Sequence, residues 1–374
     1  MSEPADVGAN ARARIRAEAA RLRACFEQAG AVVVETPILQ PAATLLELYG
    51  EDMRARAYVT SDALRGEQML RPDFTVPVVE MHMAEGAEPA RYTYAGEVFR
   101  RQEDDPARAS EYLQVGYEVF ERNAPARSDA EVFALFHRIL APLDLRAATG
   151  DIGILMAAVD GLCTTERRKA ALRRHIWRPR RFRALIERFS GRAPVPASRL
   201  ALLAADDPFA GAGAMIGLRG RDEIEARIAA LREDAQTAPI SENEVALVDA
   251  ILGIRATSLN ALERLRDIAV DLPAIGGAVE RLAARLDALA DQGIDVGALN
   301  FEASYGRTQM EYYDGFVFGF YAEARPDLPP VATGGRYDAL TRQLGRGDEI
   351  PAVGGVIRPG LVWHLGTQNR GTQT

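Results

Sequence analysis

Lysine is almost absent from this 374-residue chain: Lys169 is the only one, and its other basic residues are arginines. Acidic residues outnumber basic ones by 53 to 45, a net charge of −8. That is a poor electrostatic footprint for a protein whose task is to hold RNA or DNA, and nucleic acid is not expected as a partner. Cysteine is scarce as well. Cys25 and Cys163 lie far apart, which argues against a disulfide framework and for two packing residues in a reducing cytoplasm. Long apolar runs are missing, since charges interrupt each of them, so no membrane-spanning helix is expected. The N-terminal Met1-Ser2-Glu3-Pro4 lacks the basic-then-apolar pattern of a secretory signal. The four histidines, His82, His137, His175 and His364, show no metal-ligand spacing, and neither a metal nor another cofactor is expected. No Walker loop is present, and Gly211-Ala212-Gly213-Ala214 is too plain for a phosphate cradle.

What is present is ordinary for a globular protein, with 48% hydrophobic and 26% charged residues. The length allows one large core or two modest ones. Residues 1–10 and those after Gly366 read as disordered termini. Ala11 to Ala29 predicts an amphipathic helix with Ile15, Ala19, Leu22 and Phe26 on its stripe, stopped by Gly30. Val32-Val33-Val34 leads as a strand into Thr36-Pro37-Ile38-Leu39. Further strands are predicted at Tyr92–Phe99, Tyr112–Phe120, Asp151–Met156, Leu299–Ala303 and Phe316–Tyr321, with a helix capped by Ser128 between the second and third. From about Thr164 to Asp291 the texture turns to alanine, leucine, arginine and glutamate at helical spacing. The layout is a sheet-rich core, 10–163 and 292–366, interrupted by a helical insertion at 164–291.

Strand alternation puts Gln114, Gly116 and Glu118 on one face and Val115, Tyr117 and Val119 on the other. The first face offers polar groups with room beside them, which suits a small polar ligand. Taken alone it could equally be a half-exposed strand.

The surrounding motifs decide between these. Leu70-Arg71-Pro72-Asp73-Phe74-Thr75 resembles the Leu-Arg-Pro-Glu-x-Thr signature of histidyl-tRNA synthetases. Gly96-Glu97-Val98-Phe99-Arg100 through Phe120 resembles class II motif 2, and Gly30 to Pro41 resembles motif 1, which builds the class II dimer interface. Met310-Glu311-Tyr312-Tyr313 and Gly334-Gly335-Arg336-Tyr337-Asp338 resemble the histidine-specific stretches. The resemblance implies an α+β fold, an antiparallel sheet flanked by helices, and self-dimerisation through that core. It implies L-histidine as ligand. Asp73, Thr75 and Gln114 would hold the α-ammonium; Glu118, Tyr313 and Tyr337 would hold the imidazole. A buried ammonium needs a paired carboxylate, and Asp73 is one methylene shorter than the family's acid.

Residues that activation requires are absent from the pattern. The arginine three positions before the Asp-Tyr-Tyr acid is here Thr308, with Arg307 beside it. The motif 3 arginine aligns with Leu361, one helical turn after Arg358, and the motif 2 glutamate is Gln102. Arg100 remains as a vestigial nucleotide residue. Each lost cation removes several kcal/mol of transition-state stabilisation, on the order of 3. Nothing is expected to form an anticodon-binding domain. This combination resembles the family of ATP phosphoribosyltransferase regulatory subunits. That implies a catalytically silent chain in the first step of histidine biosynthesis. The partner would be a short-form catalytic subunit, typically in a hetero-octamer, and histidine would give feedback inhibition. Whether the inhibitory histidine sits in this pocket or at the subunit interface is left open. The alternative is a truncated histidine-activating ligase using Arg307 and Arg358. A third reading rests on Arg167 to Arg192, where eleven basic residues interleave with Trp177 and Phe182: either an RNA-binding or acidic-partner surface, or a solvated helical face, which the acidic whole favours.

Overall fold

Gly30 ends the first helix as its position predicts. Helix α1 (Ala9–Gln28) buries Leu22 and Phe26 completely. Gly30 then adopts φ +93°, a region open to glycine, and Ala31 N donates to Phe26 O at 3.1 Å. The computed structural model describes residues 9–49, 53–102, 108–213, 216–217, 219–307 and 312–371. Residues 1–8 and 372–374, Ala214, Thr308, Met310 and Glu311, which figure in the sequence readings, lie outside them.

After α1 come β1 (Val32–Val33), β2 (Leu39–Pro41), α2 (Ala42–Tyr49), α3 (Met53–Arg56), β3 (Val59–Asp62) and β4 (Gly66–Leu70). Strands β2, β4 and β3 make a small antiparallel sheet. The chain turns at Pro72 into α4 (Thr75–Glu85), and β5 (Ala90–Phe99) and β6 (Glu111–Phe120) pair along their whole length. Then follow α5 (Pro125–Leu140), β7 (Arg146–Asp151) and α6 (Ile152–Gly161). A helical stretch comes next: α7 (Glu166–Arg174), α8 (Pro179–Phe189), α9 (Ala197–Ala204), α10 (Arg221–Gln236) and α11 (Glu242–Leu252). Short strand β8 (Arg255–Thr257), α12 (Ser258–Asp271) and α13 (Gly276–Asp291) lead back to β9 (Asn300–Glu302) and β10 (Phe316–Tyr321). The chain closes with β11 (Ala332–Arg336), α14 (Asp338–Leu344), β12 (Ala352–Ile357) and α15 (Pro359–Gly371).

The main sheet runs β1-β5-β6-β12-β11-β10-β7-β9-β8, antiparallel except at β1/β5 and β7/β9. One face packs on α1, α5, α12 and α13, with Phe26 stacked on Tyr117 at 5.2 Å between ring centroids. The other face receives α4, α7, α8 and α11 and carries Tyr94, Phe120, Tyr313 and Tyr337. Strand β8 inserts at the sheet's edge, and α13 packs on α5, so the 164–291 stretch touches both faces.

Three local expectations fail for physical reasons. Asp151–Met156 is not a strand: β7 ends at Asp151, which caps α6 by accepting Gly153 N at 2.9 Å. An apolar run such as Ile152-Gly153-Ile154-Leu155 fits a buried helix as well as a buried strand. Ser128 is not the N-cap of α5, which begins with Pro125 at its first turn; its hydroxyl donates back to Ala124 O at 3.2 Å. Helical backbone covers Ala9–Asn10 and continues from Gly366 to Gly371, where disordered termini are the expectation.

Candidate functional site

The site grows from two paired glycines on neighbouring strands that lie in register with a carboxylate on a third. On β6, Glu118 pairs with Gly354 of β12, which pairs with Gly335 of β11. A Cβ on Gly354 would lie 1.5 Å from Glu118 Oε2, and one on Gly335 would lie 2.7 Å from the Tyr313 ring. Glycine at these positions lets a carboxyl and a phenol lie flat against the sheet. Beside them Tyr94 of β5 faces Gly116 of β6 in register, and a Cβ there would enter the Tyr94 ring at 2.1 Å. The space expected beside Gly116 is therefore filled by Tyr94.

Glu118 is the centre of this arrangement. Its Oε1 accepts from Tyr94 OH at 2.8 Å and from Thr75 Oγ1 at 3.1 Å; its Oε2 accepts from Tyr337 OH at 2.6 Å. All four side chains are buried. Burial pushes the Glu118 carboxyl up to about 7, with Asp73 adding to the rise and the three hydroxyls opposing it. Burial likewise raises the Tyr94 and Tyr337 phenols, and Glu118 raises them further. Thr75 opens α4, so the turn at Pro72 brings it to the strand; its Oγ1 also accepts from Tyr312 OH at 3.3 Å.

Asp73, Gln114 and Tyr313 complete the sequence-derived set and are equally buried. Asp73 reaches Glu118, Tyr94 and Tyr313 through its charge, and its Oδ1 accepts Val76 N at 3.5 Å. Gln114 shares the face of Glu118 by strand register, and its Oε1 is buried with no hydrogen-bond partner. An orphaned buried acceptor is a place where a hydrogen-bond donor such as an ammonium would be stabilised. Tyr313 packs edge-on against Tyr312 at 4.8 Å. Direct hydrogen bonds thus join Thr75, Glu118 and Tyr337, and Asp73 and Tyr313 couple to Glu118 electrostatically; Gln114 lies four residues before Glu118 on the same face of β6. Tyr94 and Tyr312 are the residues that sequence reasoning misses. Tyr94 was detectable as a large aromatic set opposite a glycine across a strand pair.

The arginine of the Leu-Arg-Pro-Asp segment fastens rather than binds. Arg71 donates to Glu97 O at 2.8 Å and Thr36 O at 2.6 Å, and lies 4.0 Å over Phe74. Arg100 donates to Pro72 O at 2.8 Å, and Gln102 folds onto Ala109 O at 3.1 Å. Arg307 turns into the helical stretch, donating to Ile176 O at 2.8 Å and covering Phe182 at 4.9 Å. Arg358 lies 5.0 Å over the Tyr112 ring. Strand pairing puts Tyr112 and Arg358 toward the face of Gln114 and Glu118. Arg336 points through the opposite face. It grips Asp129 Oδ1 at 2.7 Å and Asp338 at 2.9 Å, and Arg285 of α13 joins Asp129 to Asp151 at 3.1 and 2.5 Å.

The arginine-rich segment is largely matched by acids. Arg168 and Arg188 share Asp234 at 2.7 and 2.9 Å, Arg183 meets Asp249 at 2.7 Å, and Arg173 pairs with Asp160. A cleft of about 320 Å³ between α7, α8 and α10 is lined by Arg167, Arg168, Arg188, Arg227 and Asp234. Such internal pairing favours a structural face over a phosphate-tracking groove.

Comparison with known proteins places these features. A family model for histidyl-tRNA synthetase matches residues 4–210 and 221–359. ATP phosphoribosyltransferase regulatory subunits from Brucella canis and Brucella abortus are 31% identical over 344 residues, 87% of this chain and 90% of each relative. Two crystal structures share the fold. One is an ATP phosphoribosyltransferase regulatory subunit/histidyl-tRNA synthetase from Bacillus halodurans, with TM-score 0.66, 20% identity, and coverage of 95% of this chain and 79% of that one. The other is a histidine–tRNA ligase subunit from Alicyclobacillus acidocaldarius, with TM-score 0.60, 24% identity, and coverage of 98% and 96%. By this family model and these relatives the chain belongs to the family of ATP phosphoribosyltransferase regulatory subunits, which is built on the histidyl-tRNA synthetase fold.

Proposed function

We propose that this chain is a catalytically silent subunit that binds L-histidine and conveys feedback inhibition to a separate short-form ATP phosphoribosyltransferase. The observation that carries the reading is the Glu118 site. Asp73 and Glu118 are buried with Tyr94, Tyr313 and Tyr337, and an orphaned Gln114 oxygen is buried on the same strand face, while Arg307 turns to the helical stretch. In this proposal Asp73, Thr75 and Gln114 take the α-ammonium, and Glu118, Tyr313 and Tyr337 take the imidazole. Division into a core (10–163 and 292–366) and an insertion (164–291) belongs to the same reading, as does a cytoplasmic location. So does self-association in a hetero-octamer: Val32, Val33, Ile38, Leu39, Tyr58 and Val59 are exposed together around the edge strand β1 and the small sheet, an apolar surface of the kind that pairs.

Inhibition requires histidine to bind one state of the complex better than another. The test is reconstitution with the short catalytic subunit, following phosphoribosyl-ATP formation with and without histidine. Activity that depends on both chains and falls with histidine supports the proposal; a partner indifferent to this chain sinks it. One observation favours the second reading, a histidine-activating ligase: two arginines remain near β6 and the Pro72 turn, Arg358 over Tyr112 and Arg100 on Pro72 O. Histidine-dependent exchange of pyrophosphate into ATP would establish it, and the regulatory reading expects none.

A further inference from the structure

The arginine-rich segment is stitched to the wall of the amino-acid site at two points. Trp177, in the turn between α7 and α8, donates its indole Nε1 to Tyr313 O at 3.3 Å. One residue earlier, Ile176 O accepts Arg307 Nε at 2.8 Å, and the Arg307 guanidinium covers Phe182 of α8 at 4.9 Å. Arg307 and Tyr313 bracket the segment that carries Tyr312, whose hydroxyl reaches Thr75 and through it Glu118. The Ile176–Trp177 turn therefore holds both Arg307 and Tyr313.

The grip is unusual in its charge. Arg307 is buried, its Nη2 has no hydrogen-bond partner, and no acid forms an ion pair with it among the described residues. Burial and the neighbouring Arg183 push the guanidinium down to about 10. Among the described residues this buried cation is held by one carbonyl and one aromatic face, which is costly, so a displacement of Tyr313 that moves the Ile176–Trp177 turn changes how well Arg307 is seated and is felt in α7 and α8.

We propose that Trp177 is a positioning residue for Tyr313, and that through Trp177 and Arg307 the α7–α8 pair senses whether the amino-acid site is occupied. The inference rests on the histidine-binding reading and gives the arginine-rich segment its role: the element that a bound ligand moves, not a surface for nucleic acid.

The test uses the full-length chain. The chain has two tryptophans, Trp177 and Trp363, so Trp363→Phe leaves Trp177 as the only indole. L-histidine is titrated by calorimetry and by Trp177 emission on the same protein. The expected result is an emission change that saturates with the calorimetric heat. Trp177→Phe keeps the ring and loses the donor, and is expected to weaken histidine binding about fivefold, the worth of one neutral hydrogen bond. Heat with no change in emission, and unaltered affinity in Trp177→Phe, would overturn the inference and leave the histidine reading standing. No heat at all would overturn both. The emission measurement needs no change in the clamp itself, so a poorly folding Trp177→Phe leaves the question decidable.

Discussion

Replacing Glu118 with glutamine removes one ionisation from the centre of the site while keeping its shape and an acceptor oxygen. The carboxyl releases its proton at about 7 in the folded chain, against an ordinary value of 4.5. At about 1.4 kcal/mol per pH unit, that separation is worth about 3 kcal/mol. Below pH 4.5 both states hold the proton, and the group contributes nothing to the pH dependence of stability. Between 4.5 and 7 the unfolded chain alone releases it, so stability falls as pH rises; above 7 the loss is complete. Glu118→Gln has no proton to release. Its stability relative to the parent should therefore climb by about 3 kcal/mol between the acid and alkaline ends of this window. Urea unfolding of both proteins across the pH series, at matched slopes, measures the difference. Parallel curves would refute the claim that Glu118 is held as a buried, protonation-prone acid. Histidine adds a second signature. In the proposed pose an imidazole N–H donates to Glu118 and favours the ionised carboxyl, so binding at pH 7 should release protons, which calorimetry in buffers of different ionisation enthalpy detects; proton uptake would contradict the assignment.

Four further outcomes are expected. Tyr94→Phe takes one donor from Glu118 Oε1, and should cost about 1–3 kcal/mol and move the same pH window upward, read from the same urea series. Gly116→Ala drives a Cβ into the Tyr94 ring; overpacking of this kind costs about 1–3 kcal/mol, and calorimetry should show histidine binding weakened more than tenfold. Arg285→Met leaves Asp151 and half of Asp129 without their cation, a loss on the order of 3–5 kcal/mol in thermal or urea unfolding. A charge at the apolar edge, Val33→Glu with Leu39→Glu, should convert the proposed self-associated form to monomer in analytical ultracentrifugation, and an unchanged sedimentation profile would remove that interface.

Much of the candidate site is legible because it is written in consecutive residues. Glu118 and Gln114 share a face by strand alternation alone, and Thr75 follows Pro72 by a fixed turn. The α1 stripe and its stop at Gly30 obey helical period and glycine's freedom in the same way. The misses share a cause. Asp151–Met156 is an apolar run that satisfies strand and helix equally, and the side chain that settled it, Asp151, bonds to an amide two residues on. Tyr94 is not legible in a local stretch because its partner Gly116 is 22 positions away and adjacent only after β5 and β6 pair.

Local chemistry, then, determined which residues face together: alternation, turns and caps act over a few bonds, and any chain with these residues would be driven toward them. Tertiary structure decided what those faces mean. It filled the gap at Gly116 with Tyr94, raised Glu118 by burying it beside Asp73, and turned Arg307 away to Ile176. It also matched arginines of the 167–192 run with Asp160, Asp234 and Asp249 from other helices. Burial and charge pairing are sums over neighbours brought from far along the chain, and no window of sequence contains those neighbours.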